Sequence, residues 1–118
     1  MIKNKSGVWG EIFAARYLRD NGFEIVTTNY SCHFGEIDIV ALEGDTLCFT
    51  EVKARNESTL SRPGDAVDGG KQERLRLSAN HFMTVTKQDC PARFDVCEVY
   101  LTDDNKLAKL NYIKNAFE

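Results

Sequence analysis

The sequence predicts an α/β domain with the element order αβββαββ. Three observations lead there: an apolar-periodic helical segment comes first, three β-rich runs follow it, and a second helical segment precedes two further β-rich runs. In 118 residues this amounts to one compact domain with one core.

The first helix is expected to start at Ser6, whose hydroxyl can cap it, and to carry Trp9, Ile12, Phe13, Ala15, Tyr17 and Leu18. Asn21-Gly22 supplies the stop, since Gly adopts a left-handed conformation without steric cost. Residues 23–30 and 36–42, rich in Ile, Val, Thr and aromatic side chains, read as strands separated at Gly35. Glu43-Gly44-Asp45-Thr46 reads as a tight turn into a third strand over 47–53, which makes the second and third strands a hairpin. Residues 54–70, with Ser58, Ser61, Pro63, Gly64, Gly69 and Gly70, read as a loop. A second helix is expected from about residue 71 to 85, with Leu75, Ala79 and Phe82 at helical spacing. A fourth strand over 93–101, a turn at Asp103-Asp104-Asn105, a fifth strand over 107–113 and a short docked tail complete the order.

Composition excludes several classes. A hydrophobic content of 42% with 28% charged residues is that of a folded globular protein rather than a disordered tail. No run approaches the roughly 20 apolar residues of a membrane span, and the first residues lack the apolar stretch of a secretory signal, so a cytoplasmic location with no membrane partner is expected. Cys32, Cys48, Cys90 and Cys97 form no C-x-x-C pair and read as reduced thiols; Cys32, His33 and Cys48 fit no common zinc spacing. The net charge of −3 argues against general polyanion binding, but the segment 53–76 carries six basic residues against four acids while the remainder sums to −5. Within that segment Arg55, Lys71 and Arg74 are the expected nucleic-acid contacts, set against the plainer reading of a solvated loop and helix face.

The hairpin carries the chemistry. With Gly44-Asp45 as a two-residue loop, Asp38 falls opposite Glu51 and Glu36 opposite Lys53, and alternation places Asp38, Glu51 and Lys53 on one face. That face continues as Val40, Leu42, Leu47 and Phe49, and the other carries Ile37, Ile39, Ala41, Cys48 and Val52, so layers are expected on both sides of the sheet. Two carboxylates opposed at the edge of an apolar core repel and need positive charge. A hard divalent cation, Mg²⁺ or Mn²⁺, suits Asp38, Glu51 and the backbone carbonyl of Val52, with Lys53 orienting a water or neutralising the transition state of phosphodiester hydrolysis. The competing reading is a hairpin whose end carries solvent-facing acids and a lysine.

Asp38 followed by Glu51-Val52-Lys53 resembles the PD-(D/E)xK nuclease signature of restriction endonucleases and archaeal Holliday junction resolvases. Gly10-Glu11 with Ala14, Ala15 and Leu18, Asn29-Tyr30, Gly35-Glu36-Ile37-Asp38, Phe49-Thr50-Glu51-Val52-Lys53-Ala54-Arg55, Ala66-Val67 before Lys71, Arg93-Phe94-Asp95-Val96 and Asn115-Ala116-Phe117 together resemble the YraN family of small bacterial proteins along essentially the whole chain. The resemblance implies a single restriction-endonuclease-like domain over residues 1–118, with an αβββαβ core and a mixed central sheet flanked by helices. It further implies Mg²⁺-dependent endonuclease activity on DNA. Asp38 and Glu51 match the metal ligands, Lys53 the catalytic lysine, Glu11 a helix acid that serves a second metal or holds the first through water, and Lys71 a basic position that touches phosphate. Thr50 and Ser31 depart from the usual aliphatic and basic residues at their positions.

Among the remaining residues, Glu11 shares a helix face with Ala15 and Leu18, Glu36 is expected to pair with Lys53, and His33 and His81 sit in no motif. Asp95 reads as structural, pairing with Arg93 or Lys71, and Trp9, Tyr30 and Tyr100 read as core aromatics rather than base-stacking platforms. The function expected is metal-dependent endonucleolytic cleavage of DNA, with branched or flapped DNA as candidate substrates. The alternatives are a nucleic-acid-binding module that keeps the fold without turnover and an interaction protein whose acids form a structural ion-pair cluster. A homodimer is expected if two strands of a junction are to be cut.

Overall fold

The computed structural model describes residues 5–58 and 67–118. Its elements are α1 (Lys5–Asp20), β1 (Glu24–Cys32), β2 (Gly35–Glu43), β3 (Thr46–Asn56), α2 (Gly69–Val85), β4 (Ala92–Leu101) and β5 (Leu107–Phe117). This is the αβββαββ order expected from the sequence. Ser61, Arg62, Pro63, Gly64 and Ala66 lie outside the described residues.

Five strands form one mixed sheet in the order β1-β2-β3-β4-β5. All neighbours are antiparallel except β3 and β4, which are parallel because α2 carries the chain back across the sheet. One core lies on the α1 side, with Ala14, Leu18, Phe23, Ile39, Cys48 and Val99. The other lies on the α2 side, with Val40, Phe49, Leu75, Ala79, Phe82 and Val96. Covering both faces explains why β2 and β3 are apolar on both.

Ser6 lies inside the first turn of α1 rather than capping it, with its hydroxyl 3.5 Å from Asn105 Oδ1. The helix stop matches the expectation in detail. Gly22 has φ +86, its N–H donates to the Arg19 carbonyl, and the Phe23 N–H donates to the Leu18 carbonyl, while Phe23 and Leu18 bury together. The buried stripe is Gly10, Ala14 and Leu18, which leaves Trp9 and Ile12 partly exposed. Gly10 is where helix meets strand: a Cβ there would come 2.9 Å from the Ala54 Cβ.

The β2–β3 hairpin turns at Gly44-Asp45 as expected, with Glu43 opposite Thr46 and Ile39 opposite Thr50. The ladder ends at that last rung although both strands run on, so Glu36 and Lys53 do not pair across it. Ile37 packs in the α2-side core and Ile39 in the α1-side core, although both were expected on one face. The cause is visible in the neighbouring strand. Asn29 has a left-handed backbone (φ 54), an angle that Asn tolerates better than most side chains, and the rungs on either side are Thr28 with Ile39 and Tyr30 with Ile37. Alternation therefore breaks between those rungs, at Asp38.

β3 extends to Asn56, beyond the expected end at residue 53, because it stays paired with β4 as far as Leu101. The expected loop is thus shorter at both ends. Asp68 caps α2 by accepting the Lys71 N–H at 2.8 Å, so the helix begins at Gly69. The tail is not a separate docked piece but the end of β5. Left-handed Asn115 (φ 52) accompanies a register shift, after which Phe117 pairs and stacks with Phe94, their ring centres 5.0 Å apart.

Candidate functional site

Asp38 and Glu51 stand where β2 and β3 part. β2 follows β1 and β3 follows β4, and the Asp38 carboxylate takes up a backbone donor left over at the fork: its Oδ2 accepts the Val52 N–H at 2.9 Å. Both acids are buried, at 8% and 6% exposure, a costly placement for two like charges. Burial first, and then the Asp38 charge, push the Glu51 carboxyl above the usual carboxylate range. Lys71 and Lys53 pull it partly back, and the Lys71 ammonium lies 2.8 Å from Glu51 Oε1.

The two carboxylates line a cleft of about 240 Å³ whose other walls are Gly35 and Glu36 on β2 and Lys71, Arg74 and Leu75 on α2. α2 positions its basic residues here by periodicity: Leu75 and Ala79 bury on the sheet, and Lys71 and Arg74, four and one residues earlier than Leu75, reach the cleft. Buried Ser78 sits against Gly35, whose φ of +147 favours glycine; an ideal Cβ on Gly35 would lie 3.6 Å from Ser78 Oγ.

The other expected residues are distributed as follows. Lys53 is half-buried two residues along β3 from Glu51, beside Glu98 of β4 in the register. Arg55 reaches Glu98 at 3.6 Å and is therefore tied to the sheet, whereas Lys71 and Arg74 face the cleft. Glu11 lines a neighbouring, larger cleft between α1 and the β1–β2 strands, and Glu36 borders both clefts. Among the described residues, no three His, Cys, Asp or Glu side chains converge closely enough to hold a metal ion together. The donors that fit a hard divalent cation are thus the Asp38 and Glu51 carboxylates with a backbone carbonyl such as that of Val52.

The cysteines are free. Burial first pushes the Cys48 thiol up to about 11 and the Cys97 thiol up to about 12, as expected for inert core residues. Asp95 is structural, and its partner is Arg93 rather than Lys71. Fully buried, it accepts from Arg93 Nε at 3.0 Å, from the Tyr112 hydroxyl at 2.6 Å and from the Asn115 N–H at 2.9 Å. Tyr30 packs on Phe82 and hydrogen-bonds His81, which gives that histidine a structural partner. Trp9, at 39% exposure, is not a core residue. No helix among the described residues is long and apolar enough to cross a membrane.

The model of the uncharacterised protein family UPF0102 matches residues 10–99, which include every site residue named above. A UPF0102 protein of Caldicellulosiruptor saccharolyticus is 41% identical over 99% of this chain and 100% of its own length. Relatives from Moorella thermoacetica and Chlorobium chlorochromatii are each 39% identical, over 99% and 94% of this chain and 98% and 89% of theirs. With the family model and full-length relatives in agreement, and an α/β fold consistent with a restriction-endonuclease-like core, the chain belongs to the UPF0102 family, the YraN family that its motifs resemble.

Proposed function

We propose that this protein is a divalent-metal-dependent endonuclease that hydrolyses DNA phosphodiester bonds, with a preference for branched or flapped substrates. The observation that carries the reading is the burial of Asp38 and Glu51, from two parting strands, in a cleft rimmed by Lys71 and Arg74. Two like charges held largely out of water call for compensating positive charge, of which Lys71 supplies part at Glu51.

Bound Mg²⁺ or Mn²⁺ would supply a Lewis acid for a non-bridging phosphate oxygen and lower the pKa of an attacking water. Asp38 and Glu51 would hold it, with the Val52 carbonyl as a further oxygen donor. Lys53 orients the water and stabilises charge developing on the phosphate. Lys71, paired with Glu51 in this structure, would exchange that ion pair for one with a phosphate oxygen once the carboxylate binds a cation, and Arg74 would add a second contact from the same wall.

The deciding experiment is cleavage of labelled single-stranded, duplex, flapped and four-way-junction DNA with Mg²⁺ or Mn²⁺. Asp38→Asn is expected to abolish cleavage, and Lys53→Ala to reduce it about 100-fold or more. Cleavage by Asp38→Asn at the parent rate would refute the assignment. The Lys71–Glu51 pair also favours a second reading, a binding module whose site is closed by its own lysine. Tight binding of branched DNA without turnover under any divalent cation would select it.

A further inference from the structure

The larger cleft, of about 510 Å³, lies within the roughly 300–1,000 Å³ of small-ligand sites, and the candidate cleavage site does not use it. Its helix wall combines apolar Val8, Ile12 and Ala15 with charged Glu11 and Arg19, and Thr28 and Asn29 of β1 complete the lining from the sheet. Glu11 and Glu36 place two carboxylates in the lining. From Val8 to Arg19 the cleft follows α1 for about 16 Å. Glu36 belongs to the lining of both clefts, so whatever occupies the larger one adjoins whatever lies at Asp38 and Glu51.

These features narrow the occupant. The polar lining is mainly of acceptors: two carboxylates, Glu11 and Glu36, and the side-chain oxygens of Thr28 and Asn29, with one cation, Arg19. An apolar stretch of helix facing carboxylate, amide and hydroxyl groups suits the flat face and amino edge of a nucleobase: carboxylates accept from the cytosine amino group, and Asn pairs with the amino edge of adenine. Arg19, toward the far end of α1, offers the next phosphate a cation. The left-handed backbone of Asn29 is what builds the sheet wall, because the break in alternation separates Thr28 on this side from Tyr30 on the other.

We propose that the cleft between α1 and β1 receives an unpaired nucleobase from the strand whose phosphodiester lies at Asp38 and Glu51, and that it selects bases bearing an exocyclic amino group. This rests on the reading of the adjacent cleft as a phosphodiester site. It also supplies a reason for branched or flapped substrates: a base already unpaired enters without duplex opening.

The test is equilibrium binding of the full chain, without divalent cation, to flapped DNA carrying cytosine, thymine, 2-aminopurine or an abasic spacer at each position next to the branch. At one position cytosine is expected to bind about tenfold more tightly than thymine, and 2-aminopurine to brighten as it leaves its stacked neighbours. Ile12→Trp and, from the opposite wall, Thr28→Tyr fill the cleft and should abolish both signals while blunt-duplex binding persists; Glu11→Gln should relax the preference. Thermal unfolding confirms that each variant folds. Base preference retained in both filling variants, or absent from the wild type, overturns the proposal. So does a sedimentation change showing that Ile12→Trp instead disrupts self-association with no effect on bases. If cleavage is never found but the base preference and its loss are, the hydrolytic reading fails and the base cleft stands.

Discussion

Glu51 is the residue at which burial, repulsion and pairing are most closely opposed. Its carboxyl is raised above the ordinary value of 4.5 in the folded state, by burial first and by Asp38 second. Between the ordinary and the raised value the folded chain holds more protons than the unfolded one, so stability falls as pH rises through that window. Glu51→Gln, which cannot ionise, should therefore melt higher than the wild type at neutral pH without metal, with the gap closing below the glutamate range. Saturating Mg²⁺ should raise the melting temperature of the wild type and leave the variant unmoved, because a ligand stabilises only the state that binds it. A variant that melts lower at neutral pH would mean that the lost Lys71 pair outweighs the relief. The turn at Gly44-Asp45 and the register as far as Ile39 and Thr50 were legible from the sequence, and Asp38 and Glu51 lie just beyond that last rung. Lys71 as the direct partner of Glu51 was not legible, since helix phase relative to the sheet depends on packing at Leu75 and Ala79, which spacing within either segment leaves open.

At the scale of elements, the approach of α1 to the sheet is set by one missing methyl group. Gly10→Ala gains up to about 1 kcal/mol of helix propensity. Its Cβ would nevertheless meet the Ala54 Cβ at 2.9 Å, and neither atom can rotate away. Overpacking of about 1–3 kcal/mol is the expected net loss, read by chemical denaturation. Ala54→Gly in the same chain should recover part of it, so that the double-mutant cycle shows favourable coupling; strict additivity would mean that helix and strand do not meet there. Most element boundaries could be read from caps and turns, and the Gly22 stop is the clearest case. Misreadings came where a backbone angle overrode the pattern. Asn29 broke the alternation that placed Ile37 with Ile39, and Asn115 carried β5 on to Phe117. Asp68, three residues before Lys71 and followed by two glycines, carries the capping signal of α2 in the sequence itself.

For the molecule as a whole, an excess of acid coexists with a basic rim at one cleft. If Lys53, Lys71 and Arg74 make the proposed phosphate contacts, duplex binding is expected to weaken with salt at a log–log slope of about −3. Lys71→Ala should reduce the magnitude of that slope by about 1; a slope near zero would exclude phosphate contacts of this kind. The sheet order adds a mechanical aspect. Past the rung of Ile39 and Thr50 it is two leaves, β1-β2 and β3-β4-β5, with Asp38 on one and Glu51 on the other and the Val52 N–H bridging them to Asp38. A cation shared by those carboxylates would be a clasp across a seam, so that loading the site and stiffening the domain become one event.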